Sequence, residues 1–384
     1  ATPNAQKLKG FDPAHVKKLF SVEAANVVAC IDLATGKTLW RKEFEDVPYS
    51  AASGIFAKPR GSNNTPAAGD GRIYVMGYDA IMRALDATTG EQVWQYGTAA
   101  DATTFAPPVR YADGVVLYLR GSGVTALDAA TGEKLYHIKD AITSREAVAI
   151  WRHAGKTYFI TSSDSRSKTP GQIKCFEAKT GTVIWTLDGK APTFNPIVDG
   201  DYLLINESTT RLSKDSMAVL GLYQLSLTEA KQLWTLTDER YISNEGNIGR
   251  VIHDGKVIVG GRCGGQRKEK SDKQERGALM IIDAESGNML NFLKTFEGAK
   301  QDHIAKDGMI IHLGDLLFIE NDSHHESNVI KTIYDLKTGT FTQHFPIKTS
   351  GGYGGTAVNH PIVDGRLYMR CSDGKIRCFD VTKK

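Results

Sequence analysis

Four side chains, spread widely along the chain, carry the types that do chemistry: Arg145, His303, Tyr353 and His360. A guanidinium pairs with a carboxylate or phosphate through a fixed fork of donors. An imidazole moves protons near neutral pH or ligates a metal. Tyr353, inside the run Gly351-Gly-Tyr-Gly-Gly355, is placed to cap a ligand from a loop. That glycine run lacks the following Lys-Ser/Thr and helix of a phosphate loop, and otherwise reads as a connector. With them go Arg60, Asn64, Thr104, Glu146, Asn195, Glu245, Asn247, Asp302 and Asn359, all polar and all just ahead of the first strand of a recurring unit. A fold that gathers these positions builds either a solvated channel mouth or a pocket. In a pocket, Arg145 pairs an anionic group while His303 and His360 transfer protons or bind a metal.

Two other polar clusters invite less. His324 and His325 are adjacent, so their side chains diverge, and a loop tip suits them better than a metal site. Residues 266–276 hold five bases against three acids, a solvated loop rather than a nucleic-acid arm. His153, His253 and His312 fall at regular strand ends and read as structural.

The unit that positions these residues is clearest at 126–136, Ala-Leu-Asp-Ala-Ala-Thr-Gly-Glu-Lys-Leu-Tyr. It is an apolar alternation, an acid, a turn closed by Gly132, and a second apolar run. Two antiparallel strands joined by a tight turn fit it, with Asp128 accepting from turn amides. Copies are marked by residues 32, 86, 128, 177, 226, 283, 335 and 380, about 42 to 57 residues apart. In the fifth copy Ser226 and Ala230 replace the acid and the glycine, while Trp234 remains. Most copies are preceded by an Asp-Gly hairpin signal, as at Asp113-Gly114, Asp254-Gly255 and Asp364-Gly365. Strand-like repeats of this length predict an all-β, eight-bladed β-propeller of four-stranded antiparallel blades, with seven blades as the alternative. Eight is preferred because the first repeat already owns its two outer strands while the last stops after its third. Residues 1–15 are expected to be an N-terminal extension and 16–384 the propeller, with 16–22 offering one strand of the first blade.

Composition narrows the class further. A net charge of +3 over 384 residues favours neither nucleic acid nor an anionic membrane. No apolar run approaches the ~20 residues of a membrane span. Thirty-eight glycines suit many short strands and turns. Of the five cysteines, Cys30, Cys175 and Cys378 sit two residues before the repeat acid and are expected to be small core residues. Cys263 and Cys371 belong to different repeats and are not expected to pair.

Within each blade, strands A to D run outward from the axis. The A–B and C–D turns therefore share one face, and the D–A and B–C loops share the other. The turns are short and uniform, whereas the B–C loops near 162–172, 207–218, 264–277 and 320–328 are enlarged. Binding residues favour irregular loops on a rigid frame, so the second face is the expected site.

The repeat, with its preceding Asp-Gly hairpin, resembles that of the PQQ-like (quinoprotein-type) β-propellers, a family that holds quinoprotein alcohol dehydrogenases and the BamB-type outer-membrane assembly lipoprotein. The resemblance covers nearly the whole chain and implies that Trp40, Trp94, Trp185 and Trp234, with Tyr136, dock between blades. Asn291 and Gln343 depart from that pattern. It also implies a periplasmic or secreted protein. The family's dehydrogenases use a calcium or lanthanide ion, a catalytic Asp and typically adjacent cysteines against the quinone. This sequence has no adjacent cysteines and no Cys-x-x-Cys-His haem motif. Neither PQQ nor Ca²⁺ is therefore expected. The resulting expectation is a non-catalytic scaffold for a protein, peptide or glycan. The alternatives are a channel-mouth polysaccharide lyase or hydrolase, then a PQQ-dependent dehydrogenase.

Overall fold

The computed structural model of the chain describes residues 26–44, 65–77, 79–98, 108–120, 123–139, 141, 148–163, 171–189, 191–192, 196–208, 219–236, 249–261, 278–293, 310–321, 328–348, 361–370 and 376–381. Among these residues all regular structure is β. The chain divides into two compact units, residues 1–163 with 174–186 and residues 164–173 with 187–384.

In the first unit, repeat one contributes a hairpin, Asn26–Ile31 with Thr38–Phe44. Repeat two forms a four-stranded sheet of Ala67–Gly69, Arg72–Met76, Met82–Asp86 and Gln92–Tyr96. Repeat three follows with Arg110–Ala112, Val115–Arg120, Gly123–Asp128 and Lys134–Ile138, and repeat four with Ala149–His153, Lys156–Ser163, Gln172–Glu177 and Val183–Asp188. In the second unit, the sheet of repeat five has two short inner segments, Ala191–Pro192 and Ile197–Asp199, that both pair with Tyr202–Ser208. Repeats six and seven are four-stranded, from Arg250–His253 to Met289–Leu293 and from Ile310–Leu313 to Thr340–Lys348. Repeat eight is three-stranded: Ile362–Val363, Arg366–Arg370 and Ile376–Asp380.

The fold is thus a β-propeller of antiparallel blades, and the count is corrected from eight to seven. Repeats two to eight each supply a sheet of three or more strands, while repeat one supplies two strands among the described residues. The Asp-x-x-Thr-Gly unit, residues 32–36 in repeat one, specifies only the outer hairpin of a blade, so its presence there did not guarantee a whole one.

The turns form as their sequences require. Asp113 and Gly114 both take positive φ, 45° and 87°, in the two-residue loop between Ala112 and Val115. That is a type I′ hairpin, whose twist matches the strands it joins. Asp70-Gly71, Asp254-Gly255 and Asp364-Gly365 repeat it. At the C–D turn, Asp128 Oδ1 accepts from the amides of Ala130 at 2.9 Å and Thr131 at 2.8 Å, and from Thr131 Oγ1 at 3.1 Å. Repeat five achieves the same with a hydroxyl: Ser226 Oγ accepts from the amides of Thr228 at 3.2 Å and Glu229 at 3.1 Å.

Packing runs from sheet to sheet. Along Val115–Arg120, Val116 and Tyr118 pack towards repeat two with Tyr74, Met82 and Trp94, while Val115, Leu117 and Leu119 pack towards repeat four with Phe159 and Phe176. Both faces are buried, so the strand is a continuous apolar run rather than an alternation. Each such Leu or Val, sealed on burial, contributes roughly 1.5–3 kcal/mol.

The joints are built from one aromatic and one glycine. Trp94 Nε1 donates to the Ala129 carbonyl at 3.0 Å, and its ring lies where a Cβ on Gly132 would be only 2.7 Å away. Trp40 meets Ala87 and Gly90, Tyr136 meets Ala178 and Gly181, and Trp234 meets Ala284 and Gly287 in the same way. Where Asn291 takes the aromatic's place, its Nδ2 donates to Tyr334 Oη at 3.5 Å instead. Trp185 is buried, and the Gln343 side chain lies outside the described residues.

The fourth strand also carries a feature that the alternating pattern concealed. Pairing steps from Ala84↔Trp94 to Leu85↔Gln92, leaving Val93 as an extra residue. Leu39, Leu135, Leu233 and Leu290 are bulged identically, each next to the docking slot and each exposed.

The glycine at the joint does two jobs, and they are separable. Gly36 has φ +70° with open space around it, whereas Gly132 has φ +78° beneath Trp94. Gly36→Ala is expected to cost about 1 kcal/mol from backbone strain alone and Gly132→Ala about 2–4 kcal/mol. Urea unfolding followed by tryptophan fluorescence checks the difference; equal costs would remove the steric role assigned to the joint.

Candidate functional site

Because neighbouring strands are antiparallel, the D–A and B–C connections leave from one end of each blade, the end at which the sequence led us to expect a pocket. Arg60, Asn64, Thr104, Arg145, Glu146, Asn195, Glu245, Asn247, Asp302, His303, Tyr353, Asn359 and His360 all lie outside the described residues. So do His324 and His325, Cys263 and Cys371, and residues 164–170, 209–218, 262–277 and 322–327 of the enlarged loops.

The described chain reaches that face at the entries to the inner strands. In the first unit Arg110 opens the inner strand of repeat three, half-buried, and desolvation holds its pKa below the usual guanidinium value. In the second unit Arg250 opens the inner strand of repeat six, opposite Val259. Neither was among the residues expected from the sequence, since both lie inside a strand and not ahead of it. The signal available was a lone cation inside an otherwise apolar strand, Val109-Arg110-Tyr111-Ala112 and Arg250-Val251-Ile252. Arg110 places a positive charge at the entry to its strand, suited to holding an anionic group, whereas Nε and Nη1 of Arg250 are buried.

The B–C turn of repeat two holds a buried ion pair. Arg83 Nη2 lies 2.5 Å from Asp79 Oδ2, with side chains 8% and 4% exposed. Asp79 Oδ1 also accepts from the Ile81 amide at 3.2 Å. The Phe44 ring covers the guanidinium at 4.4 Å, a cation–π contact. Gly77 admits no side chain here, since a Cβ would stand 2.3 Å from Asn26 Nδ2 and 2.6 Å from Asp79 Oδ1. Asn26 Nδ2 and Arg83 Nε are buried without a hydrogen-bond partner. Both charges of the pair are spent on each other and on the hairpin, which fits a structural clasp.

The opposite face carries polar joints too. Asp113, in its positive-φ turn, accepts from Thr157 Oγ1 and lies 3.3 Å from Arg152 Nε of the next blade. His253 Nε2 lies 3.3 Å from Asp315 Oδ1, and its ring is 4.9 Å from that of His312. These histidines serve a blade joint, as their strand-end positions suggested.

The recurring acids are ionised caps. Amide and hydroxyl donors of Thr131 hold Asp128 below the usual carboxylate range; those of Thr89 and Thr88 do so for Asp86, and those of Ser286 for Asp283. Burial pushes the Tyr136 hydroxyl up, so it remains a donor to Ala178. Burial likewise pushes the Cys175 thiol up to about 12, which leaves it inert. Cys30 is half-buried and Cys378 exposed, so the expectation of three buried core cysteines holds only for Cys175. Cys378 sits on the last strand of the three-stranded sheet, with no fourth strand packed beside it among the described residues. Among the described residues no group of three His, Cys, Asp or Glu is placed to hold a metal ion.

Blades, capped turns and aromatic–glycine joints together define a β-propeller of PQQ-like repeats. The family described as outer membrane protein assembly factor BamB matches residues 3–158 and 152–294, well over half of the chain, and the chain belongs to that family. Among solved structures, BamB from Moraxella catarrhalis superposes with a TM-score of 0.60 at 14% identity, covering 93% of this chain and 89% of that one. Quinohemoprotein alcohol dehydrogenase from Comamonas testosteroni gives 0.53 at 15% identity over 91% of this chain and 68% of the enzyme. In sequence the same enzyme is 29% identical over 144 residues, 34% of this chain and 20% of its own length. The chain thus matches about a fifth of that curated relative. A europium-containing methanol dehydrogenase gives a TM-score of 0.55 at 14% identity, over 93% of this chain and 80% of the enzyme.

Removing one partner of the buried pair strands the other. Asp79→Ala is expected to lower stability by about 3–5 kcal/mol, and the double variant Asp79→Leu/Arg83→Met by less. Denaturant titration of both decides; a double variant as unstable as the single would refute the charge-pair account.

A pH dependence follows from the caps. Their folded pKa values are depressed, so their contribution is present above the carboxylate range and is lost as pH falls through it. Melting temperature should hold from about pH 7 to 5 and drop below about pH 4. The Asp86→Asn/Asp128→Asn variant should start lower and fall less steeply on the same scan.

Proposed function

We propose that the protein is a non-catalytic scaffold, binding a protein, peptide or glycan through the face that carries the D–A and B–C loops, on the periplasmic or secreted side of the cell. The observation carrying this reading is family membership over most of the chain, joined to a likeness that covers 89% of the Moraxella catarrhalis BamB structure against 68% of the Comamonas testosteroni dehydrogenase. The described polar groups agree with it. The repeat acids cap turns, and Asp79, Arg83, Asp113, Arg152, His253 and Asp315 join blades or fasten the hairpin. Arg110, at the entry to an inner strand on that face, favours an acidic partner surface. Among the described residues no helix is long and apolar enough to cross a membrane.

The reading includes the absence of a quinone. Adjacent cysteines are missing from the sequence, and the repeat acids Asp86, Asp128 and Asp283 are held by their turns. PQQ with Ca²⁺ should leave the melting temperature of the purified protein unchanged, since a ligand at 100 times its Kd would stabilise by about 2.7 kcal/mol. A clear rise would reinstate a cofactor enzyme.

Binding itself is tested with the loops at 264–277 and 320–328 replaced by short turns. Cross-linking in the envelope fraction should lose its partner bands while the melting temperature holds. Unchanged bands would move the interface elsewhere. Unsaturated product released from uronate polymers would replace the scaffold reading with a lyase.

A further inference from the structure

The hairpin of repeat one is fastened to the rest of its unit in a way that no other described sheet is. None of its side chains is fully buried: Leu39 is 63% and Val27 47% exposed. The strands Met82–Asp86 and Gly123–Asp128, by contrast, are buried along nearly their whole length. A two-stranded hairpin has little stability of its own in water. Among the described residues, what supports it is its attachment to repeat two.

Among the described residues that attachment consists of few contacts. Trp40 donates to the Ala87 carbonyl at 3.0 Å and lies over Gly90. Lys42 Nζ is 3.2 Å from Glu91 Oε1, with the glutamate 75% exposed, so solvent weakens the pair. Phe44 covers the Arg83 guanidinium. Against these stand two buried donors with no partner, Asn26 Nδ2 on the hairpin and Arg83 Nε beneath it. Each gave up its hydration for nothing when the hairpin closed, and each regains it when the hairpin lifts.

We infer that Asn26–Phe44 is a strap that unlatches as a local unit while the sheets of repeats two and three stay folded. Lifting it uncovers the Arg83–Asp79 pair, the bare surface of Gly90 and the Ala87 carbonyl. Repeat two then presents a slot shaped for an indole beside a guanidinium. Local opening of this kind falls where buried apolar contacts are fewest. The inference does not depend on the scaffold reading, since it concerns how the fold opens and not what it binds.

Hydrogen exchange of the full chain in sub-denaturing urea tests it. Peptides covering 26–31 and 38–44 should exchange at least about ten-fold faster than those covering 82–86 and 123–128, with a weaker urea dependence. Equal rates with equal urea dependence would make the hairpin part of the global unit and overturn the inference. Phe44→Leu should speed hairpin exchange about five-fold and leave 123–128 unchanged. Acceleration of both segments together, or of neither, would also overturn it.

Discussion

In each well-formed joint, the small residue after the turn acid is held from two sides. The Ala129 amide donates to the Gly114 carbonyl of its own blade at 2.9 Å, and its carbonyl accepts from Trp94 of the preceding blade at 3.0 Å. One residue thus couples the inner hairpin, the outer hairpin and the neighbouring sheet. Ala87 and Ala284 make the same double connection. Because the joint is apolar and closed, a donor that lost its acceptor would go unsatisfied, so these bonds specify geometry more than they add net energy. The glycine three residues on is fixed by the same arrangement, since only a bare backbone admits the ring.

This construction separates what the repeat must keep from what it can change. Acid, threonine and glycine act within the turn, and the aromatic acts on the next blade. The fifth repeat can therefore exchange acid for serine, and Asn291 can reach Tyr334 in place of a tryptophan. The loops at the other ends of the strands take no part in it. Large changes in loop length are accordingly tolerated on the face where the proposed scaffold role puts its partner.

The sequence made the turns and the joints legible because both are short-range chemistry with fixed spacing. Asp113-Gly114 demands two positive φ values, and Asp128 finds its donors within three residues. Long-range features were harder. The hairpin of repeat one carries every residue of the motif, yet the motif says nothing about inner strands, and the blade count came out one too high. Cys378 occupies the same slot as buried Cys175, but its sheet is three strands wide and leaves it exposed. Arg110 and Arg250 escaped notice because one cation in a short strand barely disturbs its apolar pattern. The candidate pocket rests on loops without repeat symmetry, where periodicity gives no purchase.

The extra residue beside each docking slot has a further consequence. A strand arriving from another molecule needs an unbroken ladder of amides and carbonyls, and the offset at Leu39, Val93, Leu135, Leu233 and Leu290 interrupts that ladder after a few residues. Each outer rim is thereby a poor template for fibre growth, although it displays an apolar side chain. Since the offset is written into the repeat itself, a blade gained by duplication arrives with its own safeguard against sticking to its copies.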